Sequence, residues 1–497
     1  MENGNRINLY LVTLSLSLAM VTMGLTSGWP TLALARFESN QTRVDITKLE
    51  TSTVLLLIPI GFAVGSVVCG YLADKLGRRV TILASALPIT AGSICIVFAV
   101  KAWQVCVTTF LWNCGSGMIS TVINYYMTEI ADKDVRGQMT IIIGLMFKLG
   151  LLFAFTAGPF LSYETLNYIM FALPLLYFVT CWWIPETPYF CLRNNNLEGA
   201  RKSLRKLRGY KDEKVLEDEL LALQANVKNE MKHSSSVKEL FVGVQYRKAI
   251  IIATGLKLTV MMTGGAVTKQ YLSLIIKETK LDIKQTLVPV IYGSLTFFSS
   301  LMTSQVVDRM GRRPLLVYSY FGTGVSLFAV GLYFFFQEVI NVSSATLTTI
   351  GFIPLTGIIL ANVISTLGFN SLFYIIPTEI FPINVKAIAI TCLSLLGAAL
   401  GSLISFLYQR VKDSCGLTTV FWIFAGFSFI GSVFSYFFVI ETKGKCLSVI
   451  QRELQGVDHD ACANDLMLVT KKLEKLASND EAKEGTEMEE LEKKEIV

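Results

Sequence analysis

Histidine is almost missing from this chain: there are two in 497 residues, His233 and His459, both in polar stretches. That excludes histidine as a general base or metal ligand inside any apolar core. Charge is also scarce, at 16% of residues, and no Asp or Glu lies deep within any apolar run. Cysteine is present, ten in all, but without a C-x-x-C pair. Cys69, Cys95, Cys106, Cys181 and Cys392 sit inside apolar runs, which argues against a disulfide framework and against zinc. No nucleophile–base set or metal cluster emerges, so neither an enzyme nor a bound cofactor is expected.

Long hydrophobic runs take up the chain instead. Hydrophobic residues make up 52%, and stretches long enough to cross a bilayer recur throughout. The pattern predicts an all-α membrane protein with twelve spans, at roughly 8–35, 52–73, 80–100, 104–128, 138–161, 166–184, 248–271, 286–307, 315–336, 348–377, 387–408 and 417–440. Only helices satisfy their own backbone polar groups in hydrocarbon, and the alternation of a barrel is not seen. Pro59, Pro88, Pro174 and Pro289 mark expected kinks. The first run, from Ile7, is too long for a signal-peptide core and reads as a retained helix.

Two cues orient the chain. The segment 185–247 carries Arg201, Lys202, Arg205, Lys206 and Arg208 in one run, which marks that side as cytoplasmic. The two N-x-S/T sequons, at Asn40 and Asn341, then fall outside the cell as glycosylation sites. Both termini are cytoplasmic in this arrangement, and a plasma membrane location follows. The net charge of +6 fits basic loops on a membrane face and not a nucleic-acid partner. The division is a six-helix half over 1–184, a cytoplasmic loop with amphipathic helices over 185–247, a second six-helix half over 248–441, and a largely flexible tail over 442–497.

The halves repeat. Gly70-Tyr-Leu-Ala-Asp74-Lys-Leu-Gly77-Arg78-Arg79 returns as Asp308-Arg-Met-Gly311-Arg312-Arg313-Pro314. Thr128-Glu129-Ile130 with Arg136 returns as Thr378-Glu379-Ile380 with Lys386, and Glu186-Thr187 as Glu441-Thr442. All six clusters follow even-numbered spans and so share one side. Acids and bases at helix ends can pair in one conformer and separate in another, so Asp74, Arg78, Arg79, Glu129, Arg136, Glu186, Asp308, Arg312, Arg313, Glu379, Lys386 and Glu441 are the candidate gating charges. Gly70 and Gly77 are expected to allow close helix approach and a tight turn.

As an ordered set these motifs resemble the sugar-porter branch of the major facilitator superfamily, and most of all insect facilitated trehalose and glucose transporters. The resemblance covers nearly the whole chain except the tail. It implies two six-helix halves that rock about a central sugar site, with hydroxyls held mainly by amides and aromatics of the second half. Here those positions fall at Val260, Met261, Ala266, Tyr374, Gly397 and Ala398, and the span 5 amide at Gly144. Most of the amides are therefore missing, although each unpaired buried polar group costs about 1–3 kcal/mol. The acid and Arg that proton-driven relatives pair become Thr26 and Thr109, which implies downhill transport.

Lysines stand in the membrane instead. Lys148 lies about 15 Å into span 5 at helical rise, on the face of Gly144, and Lys257 lies one turn before Val260 and Met261. Intramembrane charge usually faces a cavity or a partner. The candidate contacts are thus Thr26, Trp29, Lys148, Lys257, Tyr271, Asn370 and Tyr374, for a small polar solute, most simply a sugar. Two alternatives stay open: an organic-anion carrier of the same fold, and a nutrient sensor that binds without transporting. A monomer in the lipid bilayer suffices for either.

Overall fold

The computed structural model describes residues 7–454, apart from 39–41, 131–132, 209–212, 233–239, 241–242, 244–245, 280, 282, 382, 444, 446–448 and 451–452. Most of the expected tail and the Asn40 sequon lie outside the described residues. Among the described residues the chain is helical, with a lone β-bridge between Asp45 and Lys101 and no strand.

Twelve spans are present among the described residues. The first half contains Ile7–Glu38, Lys48–Leu76, 78–97, Ala102–Ile130, Lys133–Ala157 and Tyr163–Cys181. The second contains 247–277, Leu287–Met310, Arg312–Glu338, 344–380 and the stretch Ile383–Phe438, which holds spans 11 and 12 on either side of Gly416. Span 11 was expected to end near 408. It runs on to a turn at Gly416, where φ is 81° and the Glu338 carboxylate caps the last span through the amides of Leu417 and Thr418 at 2.9 and 3.2 Å.

Of the expected prolines, Pro88 follows an interruption of span 3 at Ser85 by three residues, and the other three mark none. Pro59 and Pro174 sit inside continuous helices, and Pro88 and Pro289 lie in first turns, where a missing N–H costs nothing. Span 3 breaks at Ser85, span 7 at Gly264 and Tyr271, and span 10 at Gly368. Local turns carry the backbone across these breaks: the Gly264 amide donates to the Met261 carbonyl, Tyr271 to Val267 and Gly368 to Ile364.

The halves are joined away from the repeated motifs. Thr31 Oγ1 of span 1 donates to the Lys269 carbonyl of span 7 at 2.9 Å, and Lys277 pairs with Glu38 at 2.8 Å. Phe155 of span 5 packs edge-on against Tyr292 of span 8. One apolar cluster accordingly crosses both halves, from Leu16 and Trp29 to Tyr271 and Phe424. A separate cluster around Tyr320, Phe369, Phe381 and Val439 belongs to the second half alone, on the side of its motifs.

Between the halves, Pro188–Arg193, Leu197–Arg208 and Glu213–Lys232 are helical. Ala200, Leu204, Leu207, Leu216 and Leu220 are buried, whereas Leu197 and Val215 near the helix starts are exposed.

Candidate functional site

Each half carries one carboxylate-centred clamp, and the two are built alike. In the first, Gly77 ends span 2 with φ 96°, a conformation that favours glycine, and the chain turns directly into span 3. The turn exposes the amides of Arg78 and Arg79, which donate to Glu186 at 2.9 and 3.1 Å. The Arg78 side chain, nearly buried, pairs with Glu129 at 2.9 Å and donates to the Ala73 carbonyl. Thr187 Oγ1 donates to the other Glu129 oxygen at 2.5 Å, and the Arg79 guanidinium to the Trp182 carbonyl at 2.6 Å. Asp74 is exposed and pairs with Arg193 at 2.7 Å.

The second half repeats the bonds of the glycine turn and its two glutamates. Gly311 has φ 86°, and the amides of Arg312 and Arg313 donate to Glu441 at 2.9 and 3.0 Å. Arg312 pairs with Glu379 at 3.1 Å, Thr442 donates to Glu379 at 2.5 Å, and Arg313 reaches the Tyr436 carbonyl. Lys386 lies close enough to Glu379 to feel its charge. The side chains of Arg136 and Asp308 lie outside the described residues. Gly70, expected at a close approach, has open space where a Cβ would be. Every one of these clamp bonds closes within its own half.

Several residues of spans 5, 7 and 10 are accessible although protein surrounds them. Gly144 of span 5 and Gly265 of broken span 7 are exposed, and nothing stands within 4 Å of a Cβ built on either. Tyr374, just past the break in span 10, is 70% exposed although deep within the protein. Lys148 and Lys269 are likewise deep yet accessible. A group enclosed by protein but still accessible lines an internal cavity.

The expected contact residues divide. Lys148 and Tyr374 line this space, and Asn370 is half-buried in the first turn after Gly368. Lys257 is buried, with its ammonium 4.2 Å from the centre of the Phe373 ring. Tyr271 is buried against Tyr408, ring centres 4.5 Å apart. Thr26 and Trp29 face the interior of the first half instead. Thr26 meets Ser116 at 3.1 Å, and the Trp29 indole donates to Asn167 at 3.1 Å beside Trp112.

Two residues escaped sequence reading. Lys269 and Gln270 stood at the expected end of span 7, where a polar residue reads as interfacial. The span continues past them to Lys277, so both are internal. Gln270 Oε1, Thr268 Oγ1 and the Tyr408 hydroxyl are buried without a hydrogen-bond partner among the described residues.

Comparison with known proteins agrees with this architecture. The chain is 27% identical to the facilitated trehalose transporter Tret1 of Bombyx mori over 446 residues, which cover 89% of this chain and 86% of that one. It is 26% identical to the Apis mellifera ligustica transporter of the same name, covering 90% and 88%. The Drosophila simulans relative, 28% identical, is longer, and 52% of it is covered. Among solved structures, the inward-open xylose transporter XylE from E. coli superposes with a TM-score of 0.72 at 17% identity, over 89% of this chain and 99% of that one. The proton:xylose symporter bound to 6-bromo-6-deoxy-D-glucose gives 0.69 over 90% and 99%, also at 17% identity. The model of the family described as sugar (and other) transporter matches residues 22–454. The chain belongs to this sugar-transporter family of the major facilitator superfamily.

Proposed function

We propose that the chain moves a sugar of the trehalose or hexose type down its gradient across the plasma membrane, by rocking of its two halves about the central cavity. The observation that carries this is the paired clamp. Each half is locked internally at the motif face, and the bonds joining the halves lie away from that face, so the halves are free to move as rigid bodies. Asp74, Arg78, Arg79, Glu129, Arg136 and Glu186, with their second-half counterparts, are the gating charges in this reading. Lys148, Asn370 and Tyr374 are its cavity contacts, while Lys257, Tyr271 and Tyr408 are buried.

The motif face is taken as cytoplasmic, together with both termini. The basic segment on that side supports this, and so does Asn341, which is exposed on the opposite face as a glycosylation acceptor. By the family resemblance, Thr26 and Thr109 stand at the positions of the acid and Arg that proton-driven relatives pair, which supports downhill movement.

Uptake of labelled trehalose and glucose into proteoliposomes, with and without a pH gradient, tests the reading. The expected result is saturable uptake that equilibrates and ignores the gradient. Accumulation driven by the gradient would overturn downhill transport, and saturable binding without flux would favour a sensor.

A further inference from the structure

Lys148 and Lys269 come from opposite halves and meet along one turn of span 1. Gly24 of that span is packed on the backbone at Phe147, Gly150 and Leu151, which flank Lys148. Three residues further on, Ser27 Oγ accepts a hydrogen bond from Lys269 Nζ at 3.0 Å, and Thr31 holds the Lys269 carbonyl. The Lys148 charge reaches Lys269. Spans 1 and 7 contain no Asp or Glu before Glu38, which is itself paired with Lys277, and span 5 has only Asp134, in its first turn and fourteen residues before Lys148. Among the described ion pairs none includes Lys148 or Lys269. Lys257 lies roughly 18 Å along span 7 from Lys269 by helical rise, so it is not part of the pair.

Two like charges held together at membrane depth, with no carboxylate, repel each other in a medium that screens poorly. A shared counter-ion relieves both the repulsion and the unpaired burial. Both lysines line the cavity, so that counter-ion is able to reach them from solution. We propose that Lys148 and Lys269 form an anion subsite in the central cavity, which takes the carboxylate or phosphate group of a bound solute. The inference rests on the reading of this cavity as the cargo site. It changes the cargo from a neutral sugar to one bearing an acidic group, or else adds a free anion beside a neutral sugar.

Titration calorimetry on the full chain in nanodiscs tests this with glucose, glucuronate, glucose 6-phosphate and inorganic phosphate. Glucuronate or glucose 6-phosphate is expected to bind about tenfold tighter than glucose, a difference that shrinks as salt is raised. Lys148→Gln and Lys269→Gln should each abolish the preference, whereas Lys148→Arg and Lys269→Arg keep it and show that the chain still folds. Equal binding of glucose and the anions, or a preference that survives both Gln variants, would overturn the subsite. Inorganic phosphate that binds as tightly as glucose 6-phosphate would assign the pair to a free anion, and weak phosphate binding would assign it to the cargo. Glucose uptake without anion preference sinks the subsite and leaves the transporter. Anion binding without uptake of any solute does the reverse.

Discussion

A Cβ on Gly397 would fall 1.9 Å from Lys257 Cε and 2.4 Å from its Nζ, so the bare backbone of span 11 is what makes room for the span 7 lysine. Gly397→Val should force that side chain away from the Phe373 ring and lower stability by about 1–3 kcal/mol, the usual cost of overpacking. Lys257→Ala in the same chain should recover most of the loss. Thermal unfolding of the single and double variants measures the coupling, and simple additivity would show that the two positions do not share the space.

The clamps are alike in bonding but not in burial. Side chains of Arg78 and Glu129 are 5% and 12% exposed, against 15% and 25% for Arg312 and Glu379. Removing one partner of a buried ion pair strands the other, at about 3–5 kcal/mol, and the loss falls as water reaches the site. Glu129→Ala is therefore expected to lower the Tm more than Glu379→Ala.

Gly77 and Gly311 have the same expected order. Both have positive φ, and a Cβ at Gly77 would lie 2.3 Å from a Glu186 oxygen, whereas one at Gly311 would lie 2.9 Å from Glu441. Alanine at either position costs about 1–3 kcal/mol in backbone strain. Gly77→Ala additionally displaces Glu186 from the Arg78 and Arg79 amides, so its expression and Tm should fall further than those of Gly311→Ala.

Glu441 sets an acid limit. Partial burial, the largest single influence, pushes its carboxyl up. The backbone amides of Arg312, Lys443 and Arg313, with the Arg312 charge, more than reverse that and hold it below the ordinary 4.5. Its contribution is complete above about pH 4.5 and is lost as pH falls through the lowered value. The Tm should be insensitive to this group between about pH 5 and 8, and Glu441→Gln should weaken the dependence below about pH 4.5.

Periodicity and motif spacing made the fold legible: twelve apolar runs and three duplicated acid–base clusters became twelve spans and two superimposable clamps. The breaks in spans 7 and 10 were not legible, because nothing in composition separates an internal Gly264 or Gly368 from a packing glycine. That failure moved the end of span 7 and hid Lys269 and Gln270. Thr26 and Trp29 were misplaced for another reason. Their spacing puts them on the inner side of span 1, but a helix inside a bundle has two such faces, and both turn toward spans 4 and 6. Lys148 stands out in the sequence because an isolated charge in a long apolar run has few structural explanations.

The most direct test of rocking halves is a spin-label distance across the motif face, from Asn194→Cys in the first half to Met310→Cys in the second, with the exposed Cys415 replaced. A within-half pair, Leu76→Cys with Asn194→Cys, serves as the control. Addition of a transported sugar should shift the cross-half distribution and leave the within-half one unchanged. Equal changes in both, or no cross-half change with a solute that is demonstrably carried, would contradict rigid halves moving about a central site.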